Sequence, residues 1–311
     1  MVFLTTPWLD RQRIDLTLAA TLREIGEYKG RAERVGVRVL QGMESLRLIT
    51  AEHSAVAAGR LEKSDTSVEQ ANYQRLSLWL QEAPATLTLT AALALELQAG
   101  LFQGSGRAVD GFRSAETAAA VEALCANYRH QEARIDPVLL AGAFFAALLS
   151  LRPFQTGNLR VAMLLAFWLL SRSGYSVARH VSLERIMETE RGRGQTLQPD
   201  WPSQPELTDE RLAECWICWG QWLLHAYREL AAREAALSGR RGAKTELVLA
   251  WIEAAPQDFS IREIQRQLPE CGLELIRKII KEQKRAGRIQ CLGRGPNAVW
   301  RKKKGRKAKA L

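Results

Sequence analysis

The residues best suited to chemistry lie in a short loop at 151–163, LRPFQTGNLRVAM, between two apolar segments with helical spacing. A loop that leads into a helix presents backbone N–H groups to an anion, so this one is suited to handling phosphate. A purely structural interpretation uses the same residues: Pro153 and Phe154 fix the loop, while Gly157 and Asn158 cap the next helix. The residues alone leave both interpretations open.

The loop resembles the signature of the Fic family, His-Pro-Phe-x-Asp/Glu-Gly-Asn-Gly-Arg-x-x-Arg. The positions that match in register are Pro153, Phe154, Gly157, Asn158 and Arg160. The preceding helix, DPVLLAGAFFAALLSL, the following SRSGYSVARHVSLERI and the flap-like AGLFQGSGRAV are also similar to the family. SAVAAG (54–59) is similar to its inhibitory motif, Ser-x-x-x-Glu-Gly, and the resemblance covers roughly residues 15–237.

The resemblance implies transfer of AMP from ATP to a hydroxyl group of a target protein. In the family the asparagine and arginine hold the phosphates, the carboxylate holds magnesium, and the histidine takes the hydroxyl proton as general base. Carried over to this chain, Gly157, Asn158 and Arg160 would form a phosphate site for ATP or another nucleotide.

The sequence departs from the signature where the chemistry depends on it. Arg152 replaces the histidine, Thr156 the magnesium carboxylate, Leu159 the second glycine and Met163 the last arginine, while Ala58 replaces the inhibitory glutamate. An arginine stays protonated near neutral pH and cannot act as the base. We therefore predict a degenerate site, with no residue assigned to catalysis or to a metal, comprising Arg152, Phe154, Thr156, Gly157, Asn158 and Arg160.

The positive charge of the chain is concentrated in its last quarter. Residues 240–311 contain 19 Lys and Arg against 7 Asp and Glu, a net charge of +12, whereas the whole chain carries +10. The first 239 residues are therefore close to neutral, at −2. Such asymmetry predicts a polyanionic partner for the C-terminal part and a different task for the rest.

The pattern of residues 245–302 predicts three helices and then a β-hairpin, the order of a winged helix-turn-helix. A helix covers 245–255, a capping box at Ser260 and Glu263 opens the second helix, and the third helix covers about 273–286. The segments 288–293 and 297–302 form the predicted hairpin.

The third of these helices has the division expected of a recognition helix. Leu275, Ile276, Ile279 and Ile280 form an apolar stripe, and the opposite side is basic. We predict binding to duplex DNA through this helix, the hairpin and the basic tail, by Arg277, Lys278, Lys281, Lys284, Arg285, Arg294, Arg301, Lys302, Lys303 and Lys304. A protein-contact role and RNA binding are the alternatives for the same module.

The rest of the chain has helical periodicity, so the predicted fold class is mainly α. Its helical segments are 13–34, 37–58, 68–82, 84–99, 115–130, 136–150, 158–174, 183–191 and 207–237. The predicted organisation is a Fic-like helical domain at 1–236, a linker at 237–244, a winged helix at 245–302 and a basic disordered tail at 303–311.

Several classes of protein are disfavoured by composition. No uncharged apolar run reaches the length of about 18 residues that a membrane span needs, and the N-terminal MVFLTTPWLDRQR does not resemble a secretory signal. Five scattered cysteines argue against a disulfide framework. We expect a cytoplasmic protein of bacterial type with no membrane partner.

Two weaker candidates also contain residues of metal or base chemistry. Cys215, Cys218 and His225 share a helical face, but zinc needs four ligands, and three tryptophans nearby favour packing. His53, just before the degenerate inhibitory motif, is a conceivable substitute base. We favour neither as a functional site.

The combined prediction is a catalytically degenerate Fic-like protein that binds DNA through its winged helix and acts as a regulator. One alternative is a divergent AMP or nucleotide transferase acting on a protein hydroxyl. Another is a noncatalytic partner of an active Fic protein, and a homodimer is also compatible with the sequence.

Overall fold

A computed structural model gives the fold, and it describes residues 3–32, 42–44, 46–63, 66–107, 111–192, 207–239, 242–293 and 298–303. The described chain divides into two compact units. The first holds the described residues up to Arg228 except 42–44, and the second holds 42–44 and the described residues from Glu229 onward.

The first unit is helical, as predicted. Its elements are α1 (Thr6–Asp10), α2 (Leu16–Ala32), α3 (Arg47–Glu62), α4 (Ser67–Gln81), α5 (Ala91–Phe102), α6 (Ala115–Gln131), α7 (Pro137–Leu151), α8 (Asn158–Arg172), a 3₁₀ turn (Ser176–Arg179), α9 (Leu183–Gly192) and the start of α10 (Asp209–Leu237).

The prediction of a helix over 84–99 was wrong at its start. The helix α5 begins at Ala91, because the Thr90 hydroxyl accepts a hydrogen bond from the Leu93 N–H at 3.1 Å and caps it. The preceding residues form a turn in which the Leu87 N–H donates to the Pro84 carbonyl.

The core of the first unit is formed by α7 and α8, which contact each other directly. The α7 residues 138–148 are all buried, as expected for a helix that is apolar on every side. Asp136 caps α7 by accepting hydrogen bonds from the N–H groups of Val138 and Leu139, and Pro137 occupies the first turn. This helix pair therefore holds the loop between them in a fixed frame.

The second unit contains the end of α10, then α11 (Ala243–Ala254), β1 (Asp258–Ser260), α12 (Ile261–Gln267), α13 (Leu273–Arg285), β2 (Ile289–Cys291) and β3 (Val299–Lys302). The strands form an antiparallel sheet in the order β1-β3-β2, with Phe259 opposite Trp300 and Gln290 opposite Arg301. The three predicted helices and the hairpin are present. The strand β1 was not predicted.

Local signals in this unit act as the sequence indicates. The Ser260 hydroxyl accepts from the Glu263 N–H at 3.1 Å, and the Glu263 carboxylate accepts from the Ser260 N–H at 2.7 Å, completing the capping box. The buried residues Ile276, Ile279 and Ile280 hold α13 against the core of the unit.

Within the described ranges, no helix combines the length and the apolar character that a membrane crossing requires.

Candidate functional site

The loop between α7 and α8 begins and ends in left-handed backbone conformations. Arg152 has φ 47° and ψ 58°, and Gly157, just before α8, has φ 83°. A Cβ atom at Gly157 would lie 2.8 Å from Cε2 of Phe102, a distance that real contacts do not reach. Glycine is therefore needed here for both its backbone angle and its lack of a side chain.

The Asn158 side chain ties the loop to itself. Its Oδ1 accepts from the Phe154 N–H at 3.0 Å, and its Nδ2 donates to the Phe154 carbonyl at 2.8 Å. Phe154 is buried and stacks on Phe112, with 5.3 Å between the ring centroids. Both polar atoms of Asn158 thus bond within the loop. The prediction that Asn158 caps the next helix was wrong, because Gly157 is the N-cap of α8 and the Asn158 side chain bonds to Phe154 instead.

The residues that follow the flap-like segment (99–109) contact the loop. The Arg113 N–H donates to the Pro153 carbonyl at 2.9 Å, next to the stacked ring of Phe112. The main chain at Arg113 is therefore fixed to the loop, while residues 108–110, which include the end of the flap-like segment, lie outside the described ranges.

Arg160 is buried between two carboxylates. Its side chain is 1% exposed; Nε pairs with Glu62, and Nη1 lies 2.9 Å from Oε2 of the fully buried Glu69. The guanidinium lies over the Phe102 ring, 5.2 Å from its centroid. Arg107 approaches Glu69 from the surface, with Nε 3.2 Å from Oε1. Each charge in this network therefore faces an opposite charge.

The start of α8 is occupied by a carboxylate of the chain itself. Glu62 Oε1 accepts from the Leu159 N–H at 3.1 Å, while Oε2 accepts from Arg160 Nε. The first N–H groups of a helix attract anions, and a phosphate would use the same groups. The Glu62 carboxylate therefore lies where a phosphate would be expected to bind.

Sequence reasoning missed Glu62 and Glu69. It examined the inhibitory position, Ala58, which is buried on α3, whereas Glu62 lies one helical turn further along the same helix. Since residues four apart share a helix face, extending the motif by one turn would have found it. Nothing local indicates that Glu69, on α4, lies beside Arg160.

The other signature positions have separate surroundings. Arg152, Thr156 and Leu159 are partly buried at the loop, whereas Met163 is 0% exposed and belongs to the core. Methionine at this position thus fills the interior.

A buried hydrogen-bond cluster lies on α3, α4 and α9. The Ser54 and Tyr73 hydroxyls both donate to Glu184 at 2.7 Å. Burial, and next the charge of Glu184, raise the pKa of Tyr73 well above its usual range. This hydroxyl is consequently not a proton acceptor near neutral pH.

The cysteine pair of α10 lies in the core. Cys215 and Cys218 are both 2% exposed, and burial raises the pKa of each thiol, to about 12 for Cys218. The neighbouring Trp216 donates from Nε1 to the Leu139 carbonyl at 2.8 Å.

His225 is partly exposed, with Nδ1 3.8 Å from Glu190 Oε1. His53 lies on α3. The α3 residue that contacts the start of α8 is Glu62, whose carboxylate accepts from the Leu159 N–H.

The basic residues of α13 lie on its exposed side, away from the buried isoleucines. All five predicted residues are exposed: Arg277, Lys278, Lys281, Lys284 and Arg285. Arg277 donates from Nη1 to Glu274 Oε1 at 2.8 Å. Among the described residues, no hydrogen bond or ion pair engages the side chains of the other four. These cations are open to an external anion.

The remaining predicted cations differ from one another. Arg301 makes two hydrogen bonds of 2.6 Å to Asp258, its partner across the strands, and the pKa of that carboxyl is lowered by them. Lys302 donates from Nζ to the carbonyls of Glu253 and Ala255 near the end of α11. Lys303 is exposed. Arg294 and Lys304 lie outside the described residues.

A protein-family model matches part of this chain. Residues 87–170, from just before α5 to near the end of α8, match the model of the Fic/DOC family. No curated protein matches the chain.

Solved structures share its fold. The crystal structure of a Fic family protein from Desulfovibrio desulfuricans G20 is similar with a TM-score of 0.54 at 14% identity, over 95% of this chain and 98% of that one. The structure of a Fic domain containing signaling protein from Bacteroides thetaiotaomicron VPI-5482 is similar with a TM-score of 0.50 at 15% identity, over 70% and 98%. Residues 87–170 therefore match the Fic/DOC family model, and the fold of the chain is similar to that of solved Fic proteins.

Proposed function

We propose that this protein is a DNA-binding regulator whose Fic domain no longer transfers nucleotides. The observation that carries the proposal is the exposed face of α13, where Lys278, Lys281, Lys284 and Arg285 have no partner among the described residues. Cations on a face that packs against nothing in the unit are available to the phosphates of a polyanion.

The dimensions of α13 support duplex DNA as that polyanion. A helix of 13 residues is about 20 Å long and fits the major groove of B-form DNA, which is about 12 Å wide. Its buried isoleucines fix it to the unit, so the basic face is presented by a rigid support. RNA in A-form has a deep, narrow major groove that side chains cannot read, so RNA fits this surface less well.

The other predicted cations divide into two roles under this proposal. Arg301 and Lys302 stabilise the second unit through Asp258 and the end of α11, so they contribute little to DNA affinity. Lys303 is exposed and adds a phosphate contact. Arg294 and Lys304, outside the described residues, retain their predicted roles at the hairpin tip and in the tail.

The loss of transfer chemistry is supported by the network around Arg160. A polyphosphate at α8 would meet the carboxylates of Glu62 and Glu69, which already neutralise the retained arginine. Arg152 cannot accept a proton, and Thr156 is a poor lone ligand for magnesium. The Fic domain then serves as a scaffold for a ligand, a second copy or a partner Fic protein, inside a reducing cytoplasm.

The DNA-binding half is tested by fluorescence anisotropy of the full chain with a labelled duplex at several salt concentrations. The variant Lys278→Ala/Lys281→Ala should bind at least about tenfold more weakly, with a salt slope reduced by about 2. The matched control, Arg23→Ala/Arg31→Ala, removes two exposed charges from α2. Equal affinity of both variants would contradict a role for α13.

The Fic half is tested by incubating the protein with radiolabelled ATP, magnesium and host lysate. We expect no labelled protein from the wild type. We also expect none from Glu62→Ala, because opening the start of α8 restores neither a base nor a metal ligand. Label transferred by either protein, above that seen with lysate alone, would establish the alternative of a divergent transferase.

A further inference from the structure

The exposed face of α13 also carries acidic residues. Glu274 lies in the first turn, with its side chain 87% exposed, and Glu282 lies in the last turn. An acid on a surface that faces phosphates weakens binding to every sequence, because like charges repel. An acid at the leading end of such a helix therefore requires a role that offsets this cost.

Glu274 is fixed to a neighbouring cation. Arg277, one turn along α13, donates from Nη1 to Glu274 Oε1 at 2.8 Å. The Arg277 guanidinium has five N–H donors. The bond to Glu274 uses only Nη1, so the other N–H groups can donate to a second acceptor. The ion pair thus orients both side chains at the surface, with hydrogen-bonding capacity left on each.

The edges of guanine and cytosine match this pair. In the major groove guanine presents two acceptors, which suit the arginine fork, and cytosine presents an amino donor, which suits a carboxylate. Side chains three residues apart on a helix are separated by about 5–6 Å at Cβ, which lies between one and two base-pair steps of about 3.4 Å, so the two side chains can reach nearby base pairs. The N-terminal residues of a recognition helix are those that reach base edges.

We propose that Glu274 and Arg277 form a base-reading pair, in which Arg277 binds guanine and Glu274 binds the amino group of a nearby cytosine. This inference rests on the proposed function, and it makes the target a duplex with a defined G·C-containing step under the start of α13. Lys278, Lys281, Lys284 and Arg285 then contact phosphates and carry no sequence information.

The competing explanation is that Glu274 only stabilises the helix. A carboxylate in the first turn interacts favourably with the helix dipole, and an i,i+3 ion pair adds a little more. That role would affect folding but not the choice of bases. Glu282 is the matched control, because it is an exposed acid on the same helix at the opposite end.

The test is selection of bound duplexes by the full chain from a random-sequence library, followed by sequencing, for the wild type, Glu274→Gln, Arg277→Lys and Glu282→Gln. The wild type should enrich a site with fixed guanine and cytosine positions. Glu274→Gln should change the preference at one position from cytosine towards adenine, by about tenfold, because glutamine suits adenine. Arg277→Lys should lose the guanine preference to a similar degree.

Glu282→Gln should bind all sequences more tightly and keep the wild-type preference. The inference is overturned if the wild type binds without base preference, or if Glu274→Gln keeps the cytosine preference. Absence of duplex binding by every protein would instead refute the proposed function. Matching circular dichroism spectra would confirm that the variants are folded.

Discussion

Arg160 and the cations of α13 show two opposite ways in which this chain uses positive charge. Arg160 is buried against the carboxylates of Glu62 and Glu69, and Glu62 also accepts from the Leu159 N–H at the start of α8. Lys278, Lys281 and Arg285 are exposed, and no described residue forms an ion pair with their side chains. A retained signature arginine is therefore no guide to anion binding, because its availability depends on what surrounds it.

The difference follows from the cost of burying a charge. A buried guanidinium must be paired and hydrogen-bonded, whereas an exposed ammonium is stabilised by water and can exchange that water for a phosphate. At Arg160 two internal acids pair with Nε and Nη1, while Nη2 is buried without a hydrogen-bond partner among the described residues. Substitution of Arg160 is therefore expected to lower the stability of the protein, whereas substitution of the exposed α13 cations is expected to lower its affinity for DNA.

The largest effect on stability is expected for Arg160→Met. Methionine fills similar space, but Glu69 loses its main partner in the interior, and breaking a buried pair costs about 3–5 kcal/mol. Urea unfolding of the full chain measures the loss. The control Arg277→Met on the surface of α13 should change stability by no more than about 0.5 kcal/mol. Equal effects of the two variants would contradict the distinction between the sites.

A smaller effect is expected for Asn158→Ala. This change leaves the Phe154 N–H and carbonyl without their partners, at a cost of about 1–3 kcal/mol. Asn158→Asp keeps the acceptor for the Phe154 N–H, so its unfolding free energy should fall between those of the wild type and alanine. Unchanged stability in Asn158→Ala would mean that this amide does not hold the loop together.

The smallest expected effect on stability concerns Glu270, an acid whose buried carboxylate oxygens have no hydrogen-bond partner among the described residues. Glu270 lies before α13, and burial raises the pKa of this carboxyl. A raised folded pKa gives stability at low pH that is lost as the pH rises through the folded value. Glu270→Gln should therefore stabilise the protein at pH 8 by about 1 kcal/mol and change little at pH 4.

Thermal unfolding of Glu270→Gln at both pH values would measure this dependence. The control is Glu282→Gln, whose exposed carboxylate should give no comparable dependence on pH. A stabilisation of Glu270→Gln that is equal at pH 4 and pH 8 would exclude titration of Glu270 as its cause.

The features that the sequence predicts well are those set by nearby residues. The apolar run of α7, the capping box of Ser260 and Glu263, and the two-sided pattern of α13 depend on spacings of a few residues. Each therefore leaves a recognisable pattern in the chain.

The features that escape prediction depend on contacts between distant residues. Glu62 meets Leu159 across 97 positions, and Asp258 pairs with Arg301 across 43 positions. Asp258 belongs to no pattern that singles it out, and Glu62 could be found only by extending the degenerate inhibitory motif by one helical turn. The strand β1 has three residues, too few for alternation to identify it, and it is stabilised by pairing with β3.

The most direct test of the central claim is a pair of calorimetric titrations of one preparation of the full chain, with magnesium-ATP and with duplex DNA. The account predicts saturable binding of the duplex, weakening steeply as salt is raised, and no binding of magnesium-ATP at millimolar concentration. Saturable binding of magnesium-ATP together with no binding of duplex DNA would contradict it, because the Arg160 site would then be the open one.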